Sequence, residues 1–155
     1  MIMEPRFDHS TAVTSQGIFI IGSKSGARGV GIKPQTIYST EIFPAAPADG
    51  AQGGAFNPKW IPGPELPEAL YGQASATLLD TIYVFGGLNV MSRTERRSNV
   101  WALVAGATEW QIIGQMQTAR SRPVVVNYGY QMMIIGGCDN GCAAELFTPS
   151  ISQFR

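Results

Sequence analysis

The sequence predicts an all-β fold, and two observations carry this prediction. A short apolar strand that ends in two small residues occurs three times, at residues 18–23, 82–87 and 132–137. Runs of β-branched and aromatic residues that end at glycine are typical of buried strands. The 18 glycines and 10 prolines separate such runs along the chain, and no stretch has the 3.6-residue periodicity of an amphipathic helix.

The repeated strands recur with a period of 50 residues. Gly86 and Gly136 are 50 residues apart, and so are Trp60 and Trp110. Gly22 precedes Gly86 by 64 residues, so the first unit contains about 14 additional residues, as expected for insertions into loops. A period near 50 built from short strands is typical of the blades of a β-propeller.

Each unit is predicted to contain strands in the same order. Blade one covers residues 5–67, blade two covers 68–118, and blade three covers 119–155 with a truncated fourth strand. Blade one is predicted to have a small-residue strand ending at Val13, followed by strands at 18–21, 38–43 and 60–61. Blade two is predicted to have strands at 70–79, 82–85, 99–103 and 110–113. Blade three is predicted to have strands at 123–126, 132–135 and 144–149. Phe154 takes the position of the tryptophans in the third blade.

These spaced markers resemble the Kelch repeat, whose units are four-stranded propeller blades. Two glycines follow the apolar strand, the third strand contains an aromatic residue, and a tryptophan begins the fourth. Residues 6–10 and 119–120 resemble the basic start of a Kelch blade, and 41–44 and 145–149 resemble the end of its third strand. Ser23 replaces one glycine in blade one, and Tyr71 lies near the basic position expected in blade two. The resemblance implies about three Kelch-type blades in an incomplete ring.

Three blades would leave such a ring open. Each blade needs a neighbour on both sides, and propellers typically contain about 4 to 8 blades. We therefore expect the two end sheets to expose apolar faces. Either two copies of the chain form a homodimer with a six-bladed ring, or the missing blades belong to a longer chain.

The repeat residues themselves are expected to be structural. The glycines should supply backbone conformations or close approaches that a Cβ would obstruct, and the tryptophans should pack between adjacent sheets. The glycines are Gly22, Gly86, Gly87, Gly136 and Gly137, and the tryptophans are Trp60 and Trp110.

The two cysteines, Cys138 and Cys142, flank the tight-turn sequence Asp-Asn-Gly. We expect two free thiols in a loop, with a disulfide across the hairpin as the alternative, because geometry rather than spacing decides the pairing. No metal site is expected, since zinc takes three or four ligands and His9 is the single histidine. No cofactor is expected either, because the methionines and aromatic residues fit core packing.

Five basic residues share the connection that follows the second strand. They are Lys24, Arg28, Arg93, Arg96 and Arg97. A solvated loop explains each separately. Because the fold places equivalent loops on one rim, we also consider a shared basic rim that binds an acidic protein. Residues 22–31 lack the following helix that phosphate-binding loops require.

Composition and charge exclude several kinds of partner. Hydrophobic residues make up 45% and charged residues 14%, as in a packed chain. The 11 basic and 11 acidic residues balance, so there is no general attraction to nucleic acid or to a membrane. No segment approaches the roughly 18 apolar residues of a membrane span, and Glu4 and Pro5 interrupt any secretory signal. We therefore expect a cytoplasmic protein.

The resemblance to Kelch proteins implies a non-catalytic protein–protein interaction module. Its inter-strand loops would bind a protein, such as a substrate of a ubiquitin-ligase adaptor or a cytoskeletal or regulatory partner. The alternative is part of a propeller enzyme, because some Kelch-type propellers resemble copper oxidases with tyrosine and histidine ligands, or enzymes that isomerise sugars. Residues 40–43 are compatible with that branch, but a single histidine supplies at most part of a copper site.

Overall fold

The protein is built from antiparallel sheets, with no helix among the residues that the structure describes. The computed structural model describes residues 6–25, 38–46, 58–89, 94–139 and 141–150. The strands are β1 (Arg6–Phe7), β2 (Ser10–Thr14), β3 (Gly17–Ile21), β4 (Lys24–Ser25), β5 (Thr40–Pro44), β6 (Ile61–Gly63), β7 (Leu70–Tyr71), β8 (Ala74–Leu78), β9 (Thr81–Phe85), β10 (Leu88–Asn89), β11 (Arg97–Val104), β12 (Gln111–Arg120), β13 (Val124–Tyr128), β14 (Gln131–Ile135) and β15 (Glu145–Phe147).

Three larger sheets share one meander topology. Sheet one has the order β2-β3-β5-β6, sheet two β8-β9-β11-β12 and sheet three β13-β14-β15. Two short ribbons pair β1 with β4 and β7 with β10. The predicted all-β class is confirmed, and the sheets remain open rather than closing on themselves.

The pairing register places the same positions of the three units opposite each other. The equivalent pairs are Ile20 with Glu41, Val84 with Trp101 and Ile134 with Glu145. The first residue of each pair lies two residues before the first glycine of its unit. The sequence spacings of 64 and 50 residues therefore relate equivalent structural positions.

The three sheets stack face to face, with sheet two in the middle. Strand β2 lies beside β8, and β8 lies beside β13. One apolar cluster joins sheets one and two and includes Phe19, Ile21, Ile82, Val84 and Trp101. A second joins sheets two and three and includes Tyr83, Phe85, Met116, Met132 and Ile134. Residues 82–85 of β9 enter the two clusters alternately, and all five residues of the strand are buried.

Three local predictions differ from the structure. Residues 70–79 form two strands instead of one, because Gly72 between them adopts a left-handed φ of 62°. Lys24 was placed in a loop, but its backbone pairs with Phe7 in the ribbon of β1 and β4. Strand β12 is longer than the fourth strand predicted at 110–113, because it continues to Arg120, which still pairs with Arg97.

The two equivalent tryptophans differ in burial. Trp110 is 5% exposed, belongs to the cluster between sheets one and two, and donates from Nε1 to the Pro64 carbonyl at 3.0 Å. Trp60 is half-buried and packs against Phe43 with ring centroids 5.3 Å apart. Only Trp110 fills the space between two sheets.

We expect Trp110→Ala to lower the free energy of unfolding by about 3–5 kcal/mol, because it removes a buried aromatic side chain and leaves a cavity. Trp60→Ala is the matched control and should cost less, since that ring is half-buried. Urea unfolding followed by circular dichroism measures both. Equal losses, or a neutral change at Trp110, would contradict the placement of Trp110 in the core.

Candidate functional site

One edge of the three sheets gathers the corner segments and the ends of the second strands. The three corners are residues 6–9, 70–73 and 120–123, and the ends of the second strands are 22–25, 86–89 and 136–139. We call the edge formed by these residues and by 94–97, which bond to 86–89, the loop edge. The Ser23 N–H donates to the Leu70 carbonyl at 3.0 Å, and the Gly87 N–H donates to the Arg120 carbonyl at 2.8 Å. The second strands of sheets one and two are thus each bonded to the corner of the next unit.

Backbone hydrogen bonds also link the three corners in a row. The Gly72 N–H donates to the Asp8 carbonyl at 2.9 Å, and the Arg122 N–H donates to the Gly72 carbonyl at 2.6 Å. These three residues share left-handed φ values of 57°, 62° and 54°. The Arg122 guanidinium reaches back to the Asp8 carboxylate at 2.6 Å. The loop edge is therefore one continuous surface.

The repeat glycines allow a corner to pack directly against the preceding strand. A Cβ on Gly22 would lie 2.8 Å from the Leu70 carbonyl oxygen, and one on Gly86 would lie 2.4 Å from that of Arg120. A Cβ on Gly137 would instead meet the corner of its own unit, 2.8 Å from the Ser121 carbonyl oxygen. At Gly136, by contrast, no described atom lies within 4 Å of a Cβ.

Arg120 is a fully buried cation beneath the loop edge. Its guanidinium donates to the Glu145 carboxylate at 2.7 Å and to the carbonyls of Gly136 at 2.7 Å and Ala143 at 2.5 Å. The Glu145 carboxylate also accepts from the backbone N–H groups of Gln117 and Thr118. This network ties the third corner to the second and third strands of its own sheet.

Arg6 takes the equivalent position in sheet one, because Arg6 precedes Gly22 by 16 residues as Arg120 precedes Gly136. It pairs with the buried Glu41 carboxylate and donates to the carbonyls of Gly22 at 3.2 Å and Ser39 at 3.0 Å. The sequence showed both basic positions but not these partners, since the arginine-to-glutamate separation is 35 residues in one unit and 25 in the other.

Sheet two has an apolar pair where the other sheets have an ion pair. Leu70 lies 16 residues before Gly86, and Trp101 pairs with Val84 as Glu145 pairs with Ile134. Both Leu70 and Trp101 are buried in the cluster between sheets one and two. The basic position expected near Tyr71 is therefore occupied by leucine.

The two cysteines form a disulfide at the loop edge, where free thiols had been expected. The Cα atoms are 6.0 Å apart, and the Cys142 N–H donates to the Cys138 sulfur at 2.8 Å. Arg120 also donates to the Cys142 sulfur at 2.8 Å, so the buried guanidinium anchors this loop.

The basic residues of the predicted rim are only partly placed by the structure. Arg28 and Arg93 lie outside the described residues, and Lys24 contributes its backbone to β4. Arg96 donates to the Asp139 carboxylate at 2.5 Å, and Arg97 is paired with the carboxylates of Glu68 and Glu95. Arg96 and Arg97 thus lie at the same edge, but each already has an acidic partner.

No protein-family model matches the chain, and neither does any curated protein. Within the described part of the chain, no group of three His, Cys, Asp or Glu residues is placed to hold a metal ion. The same residues include no helix with the length and apolarity needed to cross a membrane.

A double-mutant cycle tests the buried pair of Arg120 and Glu145. Glu145→Leu leaves a buried, uncompensated guanidinium and should cost about 3–5 kcal/mol in the free energy of unfolding. Adding Arg120→Leu removes that charge, so the double variant should lose less stability than the sum of the two single losses. Chemical unfolding measures all four proteins. A loss in the double variant equal to that sum would contradict the pairing.

Stability should also fall at low pH through Glu145. Burial alone would raise the pKa of this carboxyl, but hydrogen bonds from Arg120, Gln117 and Thr118 outweigh burial and hold the pKa below its ordinary value of 4.5. The ionised form therefore stabilises the fold above that value, and this contribution is lost as the pH falls through the lower pKa of the folded state.

We expect the wild type to lose more stability than Glu145→Gln when the pH is lowered from about 6 to about 3. Urea unfolding at each pH gives the two curves, and other titrating groups are common to both proteins. Parallel curves would show that Glu145 has the same pKa in the folded and unfolded states.

Proposed function

We propose that the three sheets are blades of a Kelch-type β-propeller and that the chain is a non-catalytic protein-interaction module. Several features support the blades. Sheets one and two each have four antiparallel strands in chain order, the first strands lie side by side, and corners and glycines recur at equivalent positions. A rigid scaffold of this kind holds its connecting segments at fixed positions, and binding residues are concentrated on such segments.

The observation that carries the proposal is the continuity of the loop edge. Its three corners are bonded to one another through the backbone, and two of them rest on buried arginines. The opposite edge consists largely of tight turns, such as residues 15–16, 79–80 and 129–130. The loop edge therefore offers the larger, more varied and better fixed surface for a partner.

The charges of the loop edge favour a partner with acidic side chains. Arg122 is 58% exposed, and Arg96 is 29% exposed. Each is paired with an aspartate of the chain itself, Asp8 or Asp139. Exposed ion pairs of this kind contribute only about 0–1 kcal/mol, so carboxylates of a partner can replace them at small cost. Arg96 and Arg122 are the cations that we assign to partner binding.

An array of acidic, neutral and basic peptides tests this assignment. We expect acidic peptides to bind the wild type, and Arg96→Glu and Arg122→Glu to weaken that binding by about tenfold each, which corresponds to about 1.4 kcal/mol. Lys59→Glu is the control for net charge, because it changes the charge by the same −2 and Lys59 is exposed just before β6, at the opposite edge.

Fluorescence titration of the selected peptides measures the dissociation constants. An equal preference for all three peptide classes would contradict the proposal. So would a Lys59→Glu variant that lowers affinity as much as the loop-edge variants do.

A further inference from the structure

Within the described residues, one apolar face of sheet three has no neighbouring sheet. The exposed side chains of this face are Val124, Val126, Tyr128, Ile135 and Leu146, which are 44–64% exposed. The register brings them to one side, because Val124 pairs with Ile135 and Met133 pairs with both Val126 and Leu146. In sheet two the equivalents of Ile135 and Leu146 are Phe85 and Ala102, which sheet three covers to 0% and 5% exposure.

We call the contact between two neighbouring sheets, including the hydrogen bonds to the next corner, a seam. Sheet three lacks these hydrogen bonds on its exposed side within the described residues. At the two existing seams, Ser23 and Gly87 donate to the corner of the following unit. Gly137 is the residue of unit three equivalent to Ser23 and Gly87, and its N–H pairs with no described backbone group. The carbonyl of Arg122, which would be the next acceptor in the row of corners, also has no described backbone partner. A neighbouring corner lies directly beside Gly22 and Gly86, whereas the space beside Gly136 is open within the described residues.

Sheet one presents the complementary end of this pattern. Asp8 already has the corner conformation of Gly72 and Arg122, with φ of 57°, and its N–H has no backbone partner among the described residues. Ile18 is the equivalent of Ile82 and Met132, which the preceding sheet buries to 1% and 0% exposure. Ile18 itself is 43% exposed. The first unit is thus shaped to follow another unit of the same kind.

We propose that sheet one of a second copy of this chain covers the exposed face of sheet three, and that the second copy reciprocates. The Asp8 N–H of one protomer would donate to the Arg122 carbonyl of its partner. Two identical seams related by a twofold axis cover the exposed face of sheet three and the exposed face of sheet one in both protomers. The result is a closed ring of six sheets, within the range of about 4 to 8 that propellers adopt. The proposal rests on the blade arrangement but not on the loop-edge partner.

Solution mass gives the first test. Light scattering after gel filtration of the whole chain should show a concentration-dependent dimer of twice the 16.6 kDa protomer mass. A monomer at every concentration would overturn the proposal, and so would an open series of larger assemblies. Arg96→Glu should leave the solution mass of the dimer unchanged. The dimer proposal can therefore fail or hold independently of the proposal that the loop edge binds an acidic partner.

Two lysine substitutions test which faces meet. Val126→Lys on sheet three and Ile18→Lys on sheet one should each shift the equilibrium to monomer, while a mixture of the two variants should recover dimer, because one wild-type seam is restored. Ile112→Lys is the matched control, since Ile112 is 55% exposed on β12 of the middle sheet. If only Val126→Lys dissociates the dimer, two copies of sheet three face each other and the proposal is wrong.

A glycine pair provides a second measurement and does not alter apolar area. Gly136→Ala and Gly129→Ala place a Cβ at similar φ values, 73° and 63°, with no described atom within 4 Å. The backbone strain in the protomer should therefore be similar. Only Gly136→Ala should weaken the dimer, because the corner of the second copy would approach it as Arg120 approaches Gly86. Equal dimer dissociation constants would overturn the proposed seam.

The lysine experiment has a second variant in reserve. If circular dichroism shows that Val126→Lys does not fold, Leu146→Lys, at a 53% exposed position, replaces it.

Discussion

The burial of sheet two on both of its faces is the constraint on which the rest of the structure depends. Strand β9 places Ile82 and Val84 in one apolar cluster and Tyr83 and Phe85 in the other. A strand with no polar face cannot meet water on either side, so sheet two is stable only between two neighbours. The same requirement explains why every unit repeats a short, continuous apolar strand rather than an alternating one.

Apolar contact is not directional and would not by itself hold the sheets at one angle. The corners supply that direction. Because Gly22 and Gly86 lack a Cβ, the corners of the following units approach the strand ends closely enough for backbone hydrogen bonds. The seam thus combines a broad apolar surface, which supplies most of the free energy, with a few backbone bonds, which fix the geometry. The loop edge inherits its rigidity from those bonds.

The sequence predicted the strands well, because the signals that define them are local. The apolar run at 82–85 and the glycines that end it are visible without any knowledge of the fold, and their recurrence at 132–137 supplied the period. Gly72 shows the limit of such reasoning, since its left-handed conformation accompanies a hydrogen bond to Asp8, which lies 64 residues earlier in the chain. A strand interpretation of residues 70–79 could not include that constraint.

Most of the candidate site depends on residues that are far apart in the chain. The contact of Arg122 with Asp8 spans 114 residues and follows only from the stacking of the sheets. Arg96 lies in the connection before β11 and Arg97 is the first residue of that strand, but Asp139 and Glu68, which neutralise them, come from other segments. The disulfide likewise depends on the geometry of its loop, which the spacing of Cys138 and Cys142 does not determine.

The replacement of an ion pair by Leu70 and Trp101 in sheet two indicates what the buried arginines contribute. Buried ion pairs add little net stability compared with apolar residues of similar size, and the apolar pair has its own cost, because the Trp101 Nε1–H is buried without a hydrogen-bond partner among the described residues. Stability alone therefore does not explain the difference between the units.

Position offers a better explanation. The corner at Gly72 is held from both sides, by Asp8 and by Arg122, whereas each of those two corners has a neighbouring corner on one side only within the described chain. Arg6 and Arg120 compensate for the missing restraint, because each guanidinium fastens its corner to carbonyl groups at the ends of its own second and third strands. The ion pairs thus occur where the corner must be fixed from within its own sheet.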